Sequence, residues 1–393
     1  MYQGGYMFHI KTFNQISPKG LHLLSKTSYQ VGPAIENPDA MICRSEDLHA
    51  IAFPKTVQVI ARAGAGTNNI PVEKCTTLGI PVLNTPGANA NAVKELVIAG
   101  MLLASRHIFR AFAYTQQFTE NDDIDTLVEK NKKQFSGSEL PGKTLLVIGL
   151  GNIGAKVANA AVQLGMHVIG FDPAITVQNA WELNSTVKQA QSLEEALPLA
   201  DFVSLHIPLT DKTKHFIDAK KLSLMKKKSV LLNFSRAPII EQNAVLHALQ
   251  SNQLSYYVCD FPHKDFLRNH NIICLPHLGA STHEAEENCA IMAVNQLIDY
   301  LENGHITYSV NFPKIRLSRT DGCRLSIINQ NIPNIVAQVS TVLSAENLNI
   351  IDMINKSRDT IACTLIDVNK KISDAVLKKI KSIQGVVRAR III

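Results

Sequence analysis

This 393-residue chain has no long hydrophobic run. Its longest, Leu96 to Ala104, is broken only by Gly100 and is too short to span a bilayer, so no membrane partner is expected. Met1 to Phe8 lack a basic start followed by an apolar core, so no secretory signal is expected, and Met7 is an alternative start. Cysteine is sparse: Cys43, Cys75, Cys259, Cys274, Cys289, Cys323 and Cys363 are scattered, odd in number and without a C-x-x-C pair. That pattern suits a reducing cytoplasmic setting with buried thiols rather than a disulfide framework. A strong charge of one sign is missing as well. Residues 1–318 hold 28 Lys and Arg against 27 Asp and Glu, and residues 319–393 hold 11 against 6. No recognition motif accompanies that C-terminal surplus, so it reads as a solvated basic face and nucleic acid is not an expected partner.

What is present is ordinary for a globular protein, 46% apolar and 18% charged, in a length that predicts two or three domains. One stretch organises it. Leu145 to Ile148 form a short apolar run, as in a strand covered on both faces of a parallel sheet. Gly149, Gly151 and Gly154 give the G-x-G-x-x-G spacing, and Ile153, Val157, Ala160, Ala161 and Leu164 then recur at helical intervals up to Gly165. A second run, Val168 to Phe171, closes on Asp172, 18 residues after Gly154. In that frame the glycines allow a tight turn, backbone approach to a pyrophosphate and close helix–strand packing. The helix amides at Asn152 and Ile153 face the diphosphate. Asp172 accepts from the ribose hydroxyls and repels a 2′-phosphate, which favours NAD over NADP. A lone glycine motif would be weak, but strand, helix, strand and acid together make it specific.

Around this unit, strand and helix alternate. Ala40 to Cys43, Val57 to Ala61 and Pro81 to Asn84 are early strands, and a long helix is expected over roughly 92–117. Later strands end at Ser204–Thr210, Asn233–Arg236, Asp260 and Pro276–His277, which puts polar groups repeatedly at strand carboxyl ends, the ligand-binding edge of an open α/β sheet. The loops Cys43-Arg44-Ser45 and Arg62 to Asn69 offer a cation and free amides to an anion, although loops of either kind, taken alone, are more often ordinary turns than binding loops. A helix over 284–303 and a linker over 304–319 follow. Residues 320–393 show a strand-helix-strand-strand-helix-strand order, ferredoxin-like, with no nucleophile–base pair or metal-ligand cluster.

With these residues in place, the chain resembles the D-isomer-specific 2-hydroxyacid dehydrogenases, in particular those acting on phosphoglycerate that carry a C-terminal ACT domain. The resemblance rests on residues 62–69, 84–96 and 142–145, the glycine motif, Asn233–Arg236 and Pro276–Thr282. It implies an α/β fold of two Rossmann-like domains plus a ferredoxin-like ACT domain. The substrate-binding domain would span 1–90 with 283–310, the NAD-binding domain 91–282 and the regulatory domain 320–393. It also implies NAD-dependent oxidation of 3-phospho-D-glycerate to 3-phosphohydroxypyruvate, the first step of serine synthesis, by a homodimer or homotetramer.

By motif, Arg236 matches the family arginine that holds the substrate carboxylate and carbonyl, and His277 the family acid–base histidine. The family glutamate has no direct counterpart in Asp260-Phe261-Pro262-His263-Lys264-Asp265. Asp265 is the nearest carboxylate and is expected to hydrogen-bond His277, while a one-residue gap would instead place Lys264 there. Arg44 and Ser45 match a segment that contacts substrate phosphate, Ala65 and Gly66 a carboxylate cradle, and Asn89 a substrate-side loop. His206, Pro208, Thr213, Ser235, Asp260 and Gly279 match positions around the cofactor, and each reads also as a strand-end or core residue. Ala237 stands where the family often has glycine. Asn329, Asn331 and Asn349 match an effector region where some relatives bind serine at a dimer interface. A His and a Gly common in serine-sensitive relatives are missing, so both outcomes stay open. The competing functions are the same hydride transfer on another D-2-hydroxy acid and a non-catalytic NAD(H)-binding sensor.

Overall fold

The computed structural model describes residues 6–267 and 269–392; Met1, and Ile393 at the expected end of the last strand, lie outside them. The chain divides into two compact units, Met1–Asn89 with His283–Ile393, and Ala90–Thr282.

The first unit opens on five parallel strands: β1 (Phe8–Thr12), β2 (Tyr29–Gly32), β3 (Ala40–Cys43), β4 (Val59–Arg62) and β5 (Val82–Leu83), in the order β2-β1-β3-β4-β5. Ile10, Ala40, Ile42, Val59 and Ala61 turn one sheet face toward the late helix His283–Asn303, which supplies Ala290, Ala293, Val294 and Leu297 to the same core. A segment distant in sequence thus returns because the early strands alone cannot cover that face.

In the second unit seven parallel strands follow: β6 (Thr144–Ile148), β7 (His167–Phe171), β8 (Lys188–Gln189), β9 (Phe202–Leu205), β10 (Ser229–Asn233), β11 (Leu254–Cys259) and β12 (Ile272–Cys274). Their order is β12-β11-β10-β9-β6-β7-β8. Leu146 and Ile148 enter one core, Leu145 and Val147 the other, which is why this strand reads as an unbroken apolar run. The strand order reverses at β6, where the helix Asn152–Gln163 begins, so the glycine turn sits at the topological switch point. The single helix expected over 92–117 is two, Ala90–Ser105 and Ile108–Thr115, bent by 66°. His107 adopts a left-handed φ of 50° at the break, which no regular helix accommodates. Among the described residues no single helix is long and apolar enough to cross a membrane.

The C-terminal sheet belongs to the first unit. It comprises β13 (Cys323–Gln330), β14 (Ile350–Arg358), β15 (Ile361–Val368) and β16 (Val386–Ile392), antiparallel in the order β14-β15-β13-β16, with helices Ile335–Ala345 and Asp374–Lys381. This is the βαββαβ order of a ferredoxin-like, ACT-like domain. Ile366 and Val368 of β15 meet the two helices, while Ile361, Cys363 and Leu365 join the core around His283–Asn303, so all eight residues of the strand are buried.

The stretch 304–319, expected as a linker, is packed: Ile306, Phe312, Ile315 and Leu317 are buried, and Asn311 bonds Val82 N and Ile80 O. Fully buried Arg324 holds it down. Its guanidinium donates to both Asp367 oxygens at 2.6 and 2.8 Å and to the carbonyls of Leu317, Ser318 and Asn303. Burial alone would raise the Asp367 carboxyl, but the Arg324 and Thr320 donors outweigh it and hold it below the ordinary range.

Candidate active site

The second unit gathers its polar residues along the carboxyl edge of the seven-stranded sheet. At the end of β6, Gly149 has φ +92°, and a Cβ there would meet His206 O at 2.6 Å. A Cβ on Gly154 would lie 1.9 Å from Gly149 O, so the helix can pack this closely only without a side chain. Around Gly151, by contrast, a Cβ would meet nothing within 4 Å. The helix that starts at Asn152, followed by half-buried Ile153, has no side-chain cap, so its first amides remain free for an anion. Asp172, at the end of β7, is oriented by Leu150 N and Ala174 N at 2.8 and 2.9 Å. Those two amides fix the carboxylate beside the glycine turn. The arrangement fits a dinucleotide diphosphate and its ribose.

Beyond β9, His206 bonds Ser204 Oγ through Nε2 at 2.8 Å, and burial holds its imidazole down at about 4, so it is neutral at pH 7. Thr213 is committed to its own turn, its hydroxyl donating to Pro208 O at 2.6 Å. Ser235, after β10, donates to Leu205 O at 2.6 Å and ties the two strand ends together. Buried Asn233 orders the next residues, bonding Arg236 O and accepting from Ser235 N. This role for Asn233 is not among the sequence expectations. Its signal was an amide at a buried strand end. Arg236 itself is exposed, with one guanidinium nitrogen 2.6 Å from Ser235 O.

The centre of the site is Asp260, after β11, which is 1% exposed. Its Oδ2 accepts from Gly279 N at 2.9 Å, while its Oδ1 is buried without a partner among the described residues. Burial raises its carboxyl above the ordinary value, against the opposing pull of the Gly279 amide, His277 and Arg236. Arg236 and His277, 41 positions apart, follow β10 and β12, the two strands on either side of β11. His277 follows β12 with a φ of 52°, unusual for a non-glycine residue. Its amide donates to Asp260 O at 3.0 Å, and its ring meets Phe261 edge-on at 5.4 Å.

Asp265 is placed differently from the sequence expectation, and its hydrogen bond to His277 is not formed among the described residues. Its carboxylate accepts from Gln242 Nε2 at 3.0 Å and lies 3.4 Å from His263 Nδ1. The reason is the short turn Lys264–Phe266, anchored by buried Phe266 against Tyr257, which directs Asp265 toward Gln242. Lys264 opens the same turn.

The expected substrate loops lie in the first unit. Arg44 pairs with Glu286 at 2.6 Å, and Ser45 N donates to Asn14 Oδ1. Asn84 Nδ2 reaches Ala65 O at 2.6 Å, next to half-buried Gly66, and Asn89 Oδ1 is buried without a partner among the described residues. In the C-terminal sheet, Asn329 bonds Gln330 O and Asn331 bonds Asp359 O. Asn349 precedes Ile350, which pairs with Val368, whereas Asn329 pairs with Ala362. The register therefore puts Asn349 at the opposite end of the sheet, and one chain does not bring the three together.

Residues 98–285 match the D-isomer specific 2-hydroxyacid dehydrogenase, NAD binding domain. The chain is 32% identical to D-3-phosphoglycerate dehydrogenase of Haemophilus influenzae over 340 residues, 83% of this chain and 79% of that protein. It is 37% identical to hydroxypyruvate reductase of Thermotoga maritima, over 68% of this chain and 86% of the other. Among solved structures, NAD+-bound 3-phosphoglycerate dehydrogenase of Entamoeba histolytica is similar with a TM-score of 0.60 at 26% identity, over 78% of this chain and 99% of that one.

Proposed function

We propose, from the premise that this chain belongs to the D-isomer-specific 2-hydroxyacid dehydrogenase family, that it oxidises 3-phospho-D-glycerate to 3-phosphohydroxypyruvate with NAD, the first step of serine synthesis. The observation that supports the reading is the buried Asp260 carboxylate, with one oxygen unpartnered among the described residues, at the sheet edge that also carries the glycine turn, Arg236 after β10 and His277 after β12. Gly149, Gly151 and Gly154, the Asn152 and Ile153 amides, and Asp172 would hold the diphosphate and ribose. His206, Pro208, Thr213, Ser235 and Gly279 would frame the remainder, and Asp260 Oδ1 would accept from an amide. NAD supplies the hydride acceptor.

Arg236 offers a planar fork of donors to the substrate carboxylate and the C2 oxygen, which lysine could not copy. As C2 loses its hydride, the C2 hydroxyl loses its proton to the His277 imidazole. The C–H bonding pair leaves with the hydride and the O–H pair becomes the carbonyl π bond. Asp260 stabilises the imidazolium so formed. This role falls to Asp260 rather than to Asp265, whose carboxylate is engaged by Gln242. Arg44 and Ser45 would take the phosphate, and Ala65, Gly66 and Asn89 the rest of the substrate.

A second reading, reduction of an unphosphorylated 2-keto acid, is favoured by one feature: Glu286 already pairs with Arg44. Retention of both Arg236 and His277 speaks against a non-catalytic sensor. For assembly we favour a homodimer or homotetramer. Because Asn329 and Asn331 lie at the opposite end of the sheet from Asn349, a serine site would need a second copy. NADH oxidation measured over a panel of 2-keto acids tests the whole reading. Phosphohydroxypyruvate should give the highest kcat/KM, and turnover of none of the panel would overturn it.

A further inference from the structure

In the first unit a cavity of about 440 Å³ lies where the C-terminal sheet meets the segments flanking β4, lined by none of the residues assigned above. Lys55, Gln58, Tyr300, Lys381, Arg388 and Arg390 line it, and no Asp or Glu does. The two arginines come from β16, the edge strand, and are neutralised by no carboxylate partner among the described residues. Arg388 donates to the carbonyls of Leu78 and Val57, and Arg390 to those of Leu301 and Tyr300 while lying 4.6 Å over the Tyr300 ring. Arg390 Nε is buried without a partner among the described residues, as is Gln58 Oε1. Asp39, whose charge acts on Arg390, is 3% exposed and already accepts from Tyr6, His9 N and Gln58.

Burial lowers both guanidinium groups below their ordinary value, and Arg388 lowers Arg390 further. A cavity lined by four cations and by no carboxylate is complementary to a small anion. We propose that this cavity is a binding site for a small oxyanion, a carboxylate or phosphate metabolite, separate from the active site. Its position gives it a route to the substrate loops. Val57 O, which Arg388 grips, lies two residues before β4, and β4 ends at Arg62, where the Gly64–Asn69 loop begins. An anion drawing Arg388 and Arg390 together would therefore bear on that loop, so occupancy is expected to alter KM more than kcat. That last consequence rests on the function proposed above, whereas binding does not.

The test is calorimetric titration of the full chain with inorganic phosphate, and separately with succinate, to distinguish the two oxyanion sources. It is done in an Arg44→Ala background so that phosphate held at the proposed substrate site is removed. One saturable site is expected for at least one of the two anions. The rim lysines are exposed, so the Lys55→Gln/Lys381→Gln double variant should fold normally. It should bind about tenfold more weakly, from the loss of two solvent-exposed ion pairs. Arg388→Gln should abolish binding, with unliganded Tm measured alongside. Absence of saturable binding of either anion, or unchanged affinity in the double lysine variant, would overturn the proposal. Binding lost only in Arg388→Gln, together with a fallen Tm, would also overturn it, by reducing that arginine to a structural tie. A failed NADH assay would leave this result intact, so the two readings fail separately.

Discussion

Replacing Asp260 by Asn is the sharpest perturbation of the site. The variant keeps shape and volume, and the new amide oxygen can still accept from Gly279 N, as Oδ2 does at 2.9 Å. What changes is the other atom. Oδ1, buried and without a partner among the described residues, becomes an NH2 donor where an acceptor was presented. A bound carboxamide that donated to Oδ1 then faces a donor, and the negative charge that acts on Arg236 and His277 disappears. A hydrogen bond to a charged group contributes about 1.5–3 kcal/mol, so NADH affinity should fall roughly 10- to 100-fold. Turnover should fall further, since the imidazolium formed on His277 loses its counter-charge. The assay is NADH fluorescence titration beside steady-state kinetics, with Tm as the control for folding. Asp260→Asn with native Tm and NADH affinity within twofold of the parent would refute the reasoning.

His277→Ala should lower kcat by about 10²–10⁴-fold while leaving NADH affinity within twofold, because only the proton acceptor is removed. Retained turnover would eliminate it. The Arg44–Glu286 pair is more than a third exposed on both sides, so it contributes at most about 1 kcal/mol and a phosphate should displace it. Glu286→Gln should therefore lower KM for the phosphorylated substrate, and Arg44→Ala raise it, with an unphosphorylated analogue little affected. Arg324→Met leaves Asp367 buried and unpaired and should cost about 3–5 kcal/mol in urea unfolding of the first unit. The sign with pH is opposite in the two proteins. In the parent the Asp367 carboxyl is held low, so its contribution is present above the ordinary Asp value and lost as pH falls through the depressed one. In the variant, acid should relieve the buried charge and partly restore stability, which urea midpoints at pH 7 and pH 4 would show.

Local patterns in the chain determined the nucleotide-binding unit. The Leu145–Ile148 run, the three glycines, the helical spacing to Gly165 and Asp172 are each set within a few residues. The backbone obeys them because a doubly covered strand must be apolar throughout and a tight turn must lack a Cβ. The strand-helix order of the C-terminal sheet was legible for the same reason. Side-chain pairing across the chain was not. Asp265 was the nearest carboxylate in sequence, yet the buried Phe266 turns it toward Gln242, while Asp260 meets the influence of Arg236 and His277. Residues 304–319 read as a linker, yet Asn311 ties them to distant Ile80 and Val82, and Arg324, held by distant Asp367, grips the Leu317 and Ser318 carbonyls. The cavity at Arg388 and Arg390 left no motif at all. Such pairings follow from strand register and from which faces pack together. Those are collective properties of the folded chain, and a short window of sequence does not contain them.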